Sequence, residues 1–172
     1  MAIPVVDLAE FLSGDPERKE AFVQALGKAY EEVGFVAVKN HGIDDDLIGD
    51  LYKYVQEFFS LPLEQKRNYE IPGMAGQRGY TSFGKEHAKG SDAPDLKEFY
   101  QHGQTVSDNI PEKDEYPDNV QIHEVPGFSD TFNKAYRAFE KSGKSLLQAI
   151  ALYLGLDEHF FDEYIHNGNS IL

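Results

Sequence analysis

Val33-Gly34-Phe35-Val36-Ala37-Val38-Lys39-Asn40-His41-Gly42-Ile43 is the stretch from which the rest of this chain is read. Gly34 fits the position just past a helix, where a positive φ is cheap only without a Cβ. Phe35 to Val38 form a short apolar run, the pattern of a strand covered on both faces. Asn40-His41-Gly42 then closes the strand as a turn, with the His41 ring hydrogen-bonding nearby backbone. Upstream, Asp15-Pro16 offers an N-cap oxygen and a ring preset for the first helical position. Phe22, Val23, Leu26, Tyr30 and Val33 follow at helical spacing and deliver the chain to the strand. Downstream, Asp44, Asp45 and Asp46 put negative charge at a helix start, where the dipole favours it. Leu47, Ile48, Leu51, Tyr54, Val55, Phe58 and Phe59 mark the apolar face of that helix.

The remaining segments are read outward from this centre. Ile3 to Leu8 reads as an edge strand, because Pro4 lacks an N–H. Pro62 restarts a short helix with Glu64, Lys66 and Arg67 on its exposed side. Ile71 to Asp95 has no clear period, and so long a loop in a compact domain points to binding. Val106 to Pro126 reads as an irregular surface excursion. Ser129 or Asp130 caps a long helix that ends at Gly155, Asp157 caps a short one, and a strand begins at Ser170.

Composition narrows the function classes. The 172 residues contain 41% hydrophobic and 13% aromatic side chains, as a folded globule requires. With 30 acidic and 16 basic residues the formal charge is -14, which argues against nucleic acid or an anionic membrane as partner. Cysteine is absent, so neither a disulfide framework nor a thiolate metal site exists in the sequence. Neither a signal peptide nor a membrane span is readable, and the cytoplasm is the expected compartment.

Three motifs in order, Ile3-Pro4-Val5-Val6-Asp7-Leu8, then Gly34-Phe35-Val36-Ala37-Val38 with Asn40-His41-Gly42-Ile43, then Phe58-Phe59-Ser60-Leu61-Pro62-Leu63-Glu64-Gln65-Lys66, resemble the start of the isopenicillin N synthase-like family. That family comprises Fe(II) and 2-oxoglutarate dependent oxygenases and a few relatives that use no oxo-acid. The resemblance implies an α+β chain, the N-terminal helical and mixed region of a double-stranded β-helix, or jelly roll, with most of the catalytic barrel absent. It implies an N-terminal domain over residues 1–126. Residues 127–172 would carry a long helix, a short helix and the start of the first strand of the oxygenase domain. The implied function is oxidation, hydroxylation or desaturation, of a small-molecule substrate with Fe(II) and 2-oxoglutarate as cofactors.

An octahedral iron site needs two His and one carboxylate on one face, which the family supplies as H-x-D and a distant His, with R-x-S for the oxo-acid. None of the six histidines begins an H-x-D, and no R-x-S occurs. The resemblance therefore implies no catalytic or metal-ligating residue in this chain. Those groups are expected beyond Leu172, the missing barrel half is the expected partner, and the chain alone is expected to be inactive. Substrate contacts are expected instead from Gln77-Arg78-Gly79-Tyr80-Thr81 and Asp95-Leu96-Lys97-Glu98-Phe99-Tyr100, which resemble segments at the mouth of the family's active site. Arg78 either pairs with a substrate carboxylate or makes a surface salt bridge. Tyr80 either offers its ring and polar tip or packs under its own loop. Phe99 either lines the pocket or joins the core, while Lys97 and Glu98 read as structural. From another class, a non-catalytic acidic module that binds a partner through an apolar face fits the same composition.

Overall fold

A computed structural model of the chain describes residues 2–74, 76–90, 92–106 and 116–172. They form two compact units, Met1–Asp44 with Arg137–His166, and Asp45–Tyr136 with Asn167–Leu172.

The first unit runs through β1 (Val5–Asp7), α1 (Leu8–Phe11), α2 (Pro16–Glu32) and β2 (Ala37–Lys39). Asp7 stops the strand by capping a helix, since its carboxylate accepts the Ala9 N–H at 3.0 Å. The apolar run from Ile3 to Leu8 is thus split between strand and helix. The Asp15 carboxylate accepts the N–H groups of Glu17 at 2.9 Å and Arg18 at 3.3 Å, and Pro16 opens α2 as the sequence predicts. The helix ends at Gly34, whose φ is +82°. Asn40 (φ +51°) and Gly42 (φ +75°) form the turn after β2, and His41 Nδ1 accepts the Ile43 N–H at 3.2 Å. Asn40 also donates to both carboxylate oxygens of Asp7 at 2.9 Å, joining the first two motifs of the sequence.

β1 and β2 pair in parallel with Val6 beside Val38. Val6 turns into the core while Phe35 is 70% exposed, which corrects the expectation of a strand covered on both sides. Val6, Leu8, Phe11, Phe22, Val23 and Leu26 make the core of this unit together with Ala149. Ala149 comes from α5 (Phe128–Tyr153), whose residues from Arg137 onward belong here. Gly155 terminates α5 with φ +73°, and α6 (Asp162–Ile165) follows.

The second unit contains α3 (Asp45–Phe59), α4 (Leu63–Arg67), β3 (Gly79–Thr81), β4 (Phe99–Gln101) and α5 up to Tyr136. Phe58 is its centre. The rings of Tyr69, Tyr80, Tyr100 and Phe128 surround it with centroids 5.2–6.1 Å away. Aromatic pairs at such distances add about 0.5–1.5 kcal/mol each beyond the area they bury. β3 and β4 pair antiparallel, so Tyr80 and Tyr100 sit opposite each other on the Phe58 side. Lys66, expected on the exposed side of α4, is only 6% exposed because Glu98 draws its ammonium inward. Ile122 and Val125 are buried as well, so the described part of the 106–126 excursion supplies core; residues 107–115 lie outside the described residues.

The fold class needs correction. Among the described residues the strands form two separate two-stranded sheets of three residues per strand, and helices dominate. Where the sequence predicts a strand from Ser170, Ile171 makes a single antiparallel bridge with Gly103, closed by His102 N–H to Leu172 carbonyl at 3.0 Å and the reciprocal bond at 2.7 Å.

Gly27 lies inside α2, where alanine is ordinarily favoured by about 1 kcal/mol. A Cβ there would stand 2.2 Å from the Tyr153 ring. Gly27→Ala is expected to destabilise the protein by about 1–3 kcal/mol in urea unfolding, overpacking outweighing helix propensity. An unchanged or raised midpoint would show that Tyr153 yields without cost.

Candidate functional site

The loop-and-ladder region of the second unit borders an open cleft of about 430 Å³ lined by Glu70, Ile71, Gly76, Arg78, Tyr80 and Lys85 among others. Three side chains on or beside its ladder were predicted as substrate contacts, and their surroundings differ. Phe99 is half-buried on the face of β4 opposite Tyr100, paired with Thr81 and packed near Gly76. Tyr80 is 2% exposed, with its ring against Phe58 and Phe59. Its hydroxyl donates to the Glu98 carboxylate. Burial, reinforced by Glu98, pushes that phenol above its ordinary pKa. Tyr80 therefore keeps its proton, and its polar tip is committed to Glu98.

Lys66 completes this node. Its ammonium donates to both Glu98 oxygens at 2.8 and 3.0 Å and to the Phe59 carbonyl at 3.1 Å. Paired and bonded in this way, a buried cation is a stable structural element.

Arg78 is different. It is 1% exposed, yet among the described residues no carboxylate pairs with it. Nη1 donates to the Gln77 carbonyl at 2.8 Å and Nη2 to Asn169 Oδ1 at 3.1 Å, while Nε finds no partner among the described residues. Burial lowers its pKa from the ordinary guanidinium value, but an arginine stays charged in a protein. Among the described residues the cation is thus held by neutral acceptors, and, buried as it is, it makes no surface salt bridge with them.

His102 lies next to the residue on which Arg78 rests, Gly103. It is fully buried, with its ring against Phe132 and Tyr136. Nε2 is 2.9 Å from Asn133 Oδ1, and Thr105 Oγ1 donates to that same oxygen at 3.1 Å. An oxygen that already accepts requires the proton on Nε2, which leaves Nδ1 as a bare acceptor with no partner among the described residues. Burial pushes the imidazole pKa below its ordinary value; the Asn133 bond opposes this and the Arg78 charge adds to it.

The iron that the sequence resemblance implies finds no fitting donor set among the described residues of this region. Among the described residues no three His, Asp or Glu side chains cluster as metal ligands would.

The sequence profile of the family described as non-haem dioxygenase in morphine synthesis N-terminal matches residues 3–124. The chain belongs to this dioxygenase N-terminal family. A proline hydroxylase from Petromyces alliaceus is 34% identical over 179 residues, an alignment covering 100% of this chain and 54% of the relative. A 1-aminocyclopropane-1-carboxylate oxidase from Dictyostelium discoideum is 27% identical over 96% of this chain and 46% of its own. Among solved structures, a 2OG-Fe(II) oxygenase family protein from Caulobacter crescentus superposes with TM-score 0.86 at 33% identity, covering 99% of this chain and 54% of that one. A full-length Neurospora crassa protein solved in complex with alpha-KG gives TM-score 0.80 at 27% identity, over 98% and 52%. The chain spans about half the length of the curated relatives it matches. The comparison completes the correction of fold class: the helical architecture of these 172 residues is itself what the family shares, and its description is N-terminal.

For a member of this dioxygenase N-terminal family, the sequence reading missed the residues around Arg78. His102, Asn119 and Asn169 lie in stretches without periodicity, and Asn133, on the predicted long helix α5, shows nothing in its own spacing of what it faces. Only Gly103 carried a signal, since a glycine beside a strand marks close approach of another group.

The His102 shift fixes a pH dependence. A histidine whose folded pKa is depressed stays neutral in the native state, so its contribution is full above the unfolded value near ~6.5 and is lost as pH falls below it. Stability in urea is expected to decline from pH ~6.5 downward, and His102→Gln is expected to flatten that limb. Identical limbs for the two proteins would remove His102 as the cause.

Proposed function

We propose that this chain supplies the substrate-side residues of an Fe(II) and 2-oxoglutarate dependent dioxygenase that hydroxylates or desaturates a small molecule bearing a carboxylate. The observation that carries the carboxylate is Arg78, a buried guanidinium without a counter-charge among the described residues. Burying an ion costs several kcal/mol even after relaxation, and a ligand anion offsets that cost where no side chain does. Arginine suits the task because its planar fork meets a carboxylate with two parallel bonds. Membership of the dioxygenase family supports the reaction class, and the relatives' names supply the cofactors: 2-oxoglutarate-dependent dioxygenases and 2OG-Fe(II) oxygenases.

In this reading Arg78 binds the substrate anion, Phe99 gives an apolar wall, and Tyr80 contributes ring surface only, because its hydroxyl serves Glu98. The oxidising chemistry belongs to iron and the oxo-acid, and none of its steps falls to residues of this chain. The partner of the exposed apolar residues Ile3, Val5 and Phe35 is the further half of the length that the relatives have. An acidic chain of charge -14 offers nucleic acid and membrane no footprint.

The test uses the full product of the gene with Fe(II) and 2-oxoglutarate, following succinate release against small carboxylic acids and their amides. Acids are expected to turn over and amides to fail. Arg78→Met is expected to raise KM for an acid by about 10–100-fold, the worth of charge-assisted hydrogen bonds, with a smaller change in kcat. Equal turnover of acids and amides, unaltered by Arg78→Met, would sink the assignment.

A further inference from the structure

Gly103 is not a turn glycine; it is missing from the positive-φ residues, and its backbone pairs with Ile171. A Cβ at this position would fall 1.9 Å from Cζ of Arg78, 2.0 Å from Nη2 and 2.3 Å from Nε. The guanidinium therefore occupies the space a side chain of residue 103 would take. A closed hydrogen-bonded ring holds that glycine. Asn119 Oδ1 accepts the Gly103 N–H at 2.7 Å, and Asn119 Nδ2 donates to the Gly103 carbonyl at 2.7 Å, as a neighbouring strand would. Nδ2 also reaches Thr105 Oγ1 at 3.2 Å; Thr105 donates to Asn133 Oδ1 at 3.1 Å; and His102 Nε2 returns to that oxygen at 2.9 Å. His102 and Gly103 are consecutive, so the ring closes through their peptide bond.

We propose that Asn119, Thr105 and Asn133 are positioning residues for Arg78, fixing the Gly103 platform against which its guanidinium lies. The functional part of this inference, that the ring sets the direction of an anion-binding fork, rests on the reading of Arg78 given above. No member of the ring is charged, so it constrains the arginine without neutralising it. That separates it from the Lys66–Glu98 pair, which cancels one charge with another. The exposed Asn169 supplies the acceptor at Nη2. A ligand oxygen that takes its place gains a charge-assisted bond while Gly103 and Asn119 stay where they are.

The full chain, ¹⁵N-labelled at arginine, has four Nε–H signals, from Arg18, Arg67, Arg78 and Arg137. Arg18 and Arg67 bond to Glu10 and Glu64 on the surface and serve as internal references. Asn119→Ala removes two bonds to Gly103 and is expected to speed hydrogen exchange at Arg78 Nε about tenfold and to move its resonance, leaving the references unchanged. Thr105 is exposed, so Thr105→Val spares the fold while breaking the ring, and a smaller acceleration confined to Arg78 is expected. Arg78 signals identical to wild type in both folded variants would overturn the positioning role. Titration with sodium acetate judges the underlying reading separately. A shift of Arg78 Nε–H in wild type, weakened in Asn119→Ala, supports both. No shift in wild type overturns the anion reading, while the exchange rates still decide whether the ring holds the arginine.

Discussion

The guanidinium of Arg78 stands where residue 103 would otherwise carry a side chain, and the candidate site depends on that single exclusion. Any Cβ at 103 would meet Cζ at 1.9 Å, so the arginine and the glycine are one design. Burial then leaves the cation with two neutral acceptors and an Nε unpartnered among the described residues. The same unit contains a second buried cation, Lys66, handled in the opposite way. Its ammonium meets both oxygens of Glu98 and a backbone carbonyl. Of the two buried charges in this unit, one has a counter-charge among the described residues and the other has none, and the proposed anion-binding role of Arg78 rests on that contrast. A protein that needed only stability would gain by replacing Arg78 with an apolar residue.

The ladder explains how these roles stay apart. Successive strand residues point to opposite faces, and the register sets Tyr80 against Tyr100 and Thr81 against Phe99. Tyr80 and Tyr100 join Phe58 in the aromatic core, while Thr81 and Phe99 take the other side. Glu98 draws the Tyr80 hydroxyl and the Lys66 ammonium to one point, anchoring the core face of β3. Polar tyrosine chemistry is thereby used up in support, which leaves Arg78 and the wall at Phe99 as the side chains free to meet a ligand on the proposed reading.

Local chemistry was legible in the sequence. Asp15-Pro16, Gly34 and Asn40-His41-Gly42 each act through bonds to residues at most a few positions away, and each forms as its residue type requires. Burial was less legible, because it depends on what lies across the fold. Phe35 falls before β2, outside the paired residues, and is exposed, and Lys66 was drawn inside by Glu98, 32 positions later. The three motifs carried the family. They carried no jelly roll, and the sheets that form are two-stranded. The ring around Gly103 was invisible for the same reason as Lys66: Asn119 and Asn133 reach it over 16 and 31 positions, the first from a stretch with no periodic pattern and the second from a helix whose spacing does not show what its polar positions face.

The order of those motifs nevertheless has a physical cause. Asp7 from the first caps α1 and accepts two bonds from Asn40 of the second, so the strand that starts the chain and the turn that follows α2 share one carboxylate. The Asn40 bonds, with help from Ala9 and Lys39, hold that carboxyl below its usual pKa. Neither residue could be recognised as half of a pair from its own surroundings, since each is simply a good cap or turn former. Their pairing ties the two strands of a three-residue parallel ladder, while the ends of α2 between them are set by the Asp15 cap and Gly34. The first two motifs are therefore a statement about how the first unit is tied together, while the third, residues 58–66, belongs to the second unit. Arg78 lies outside all three motifs, in a segment held by the space that Gly103 leaves and, among the described residues, by neutral acceptors.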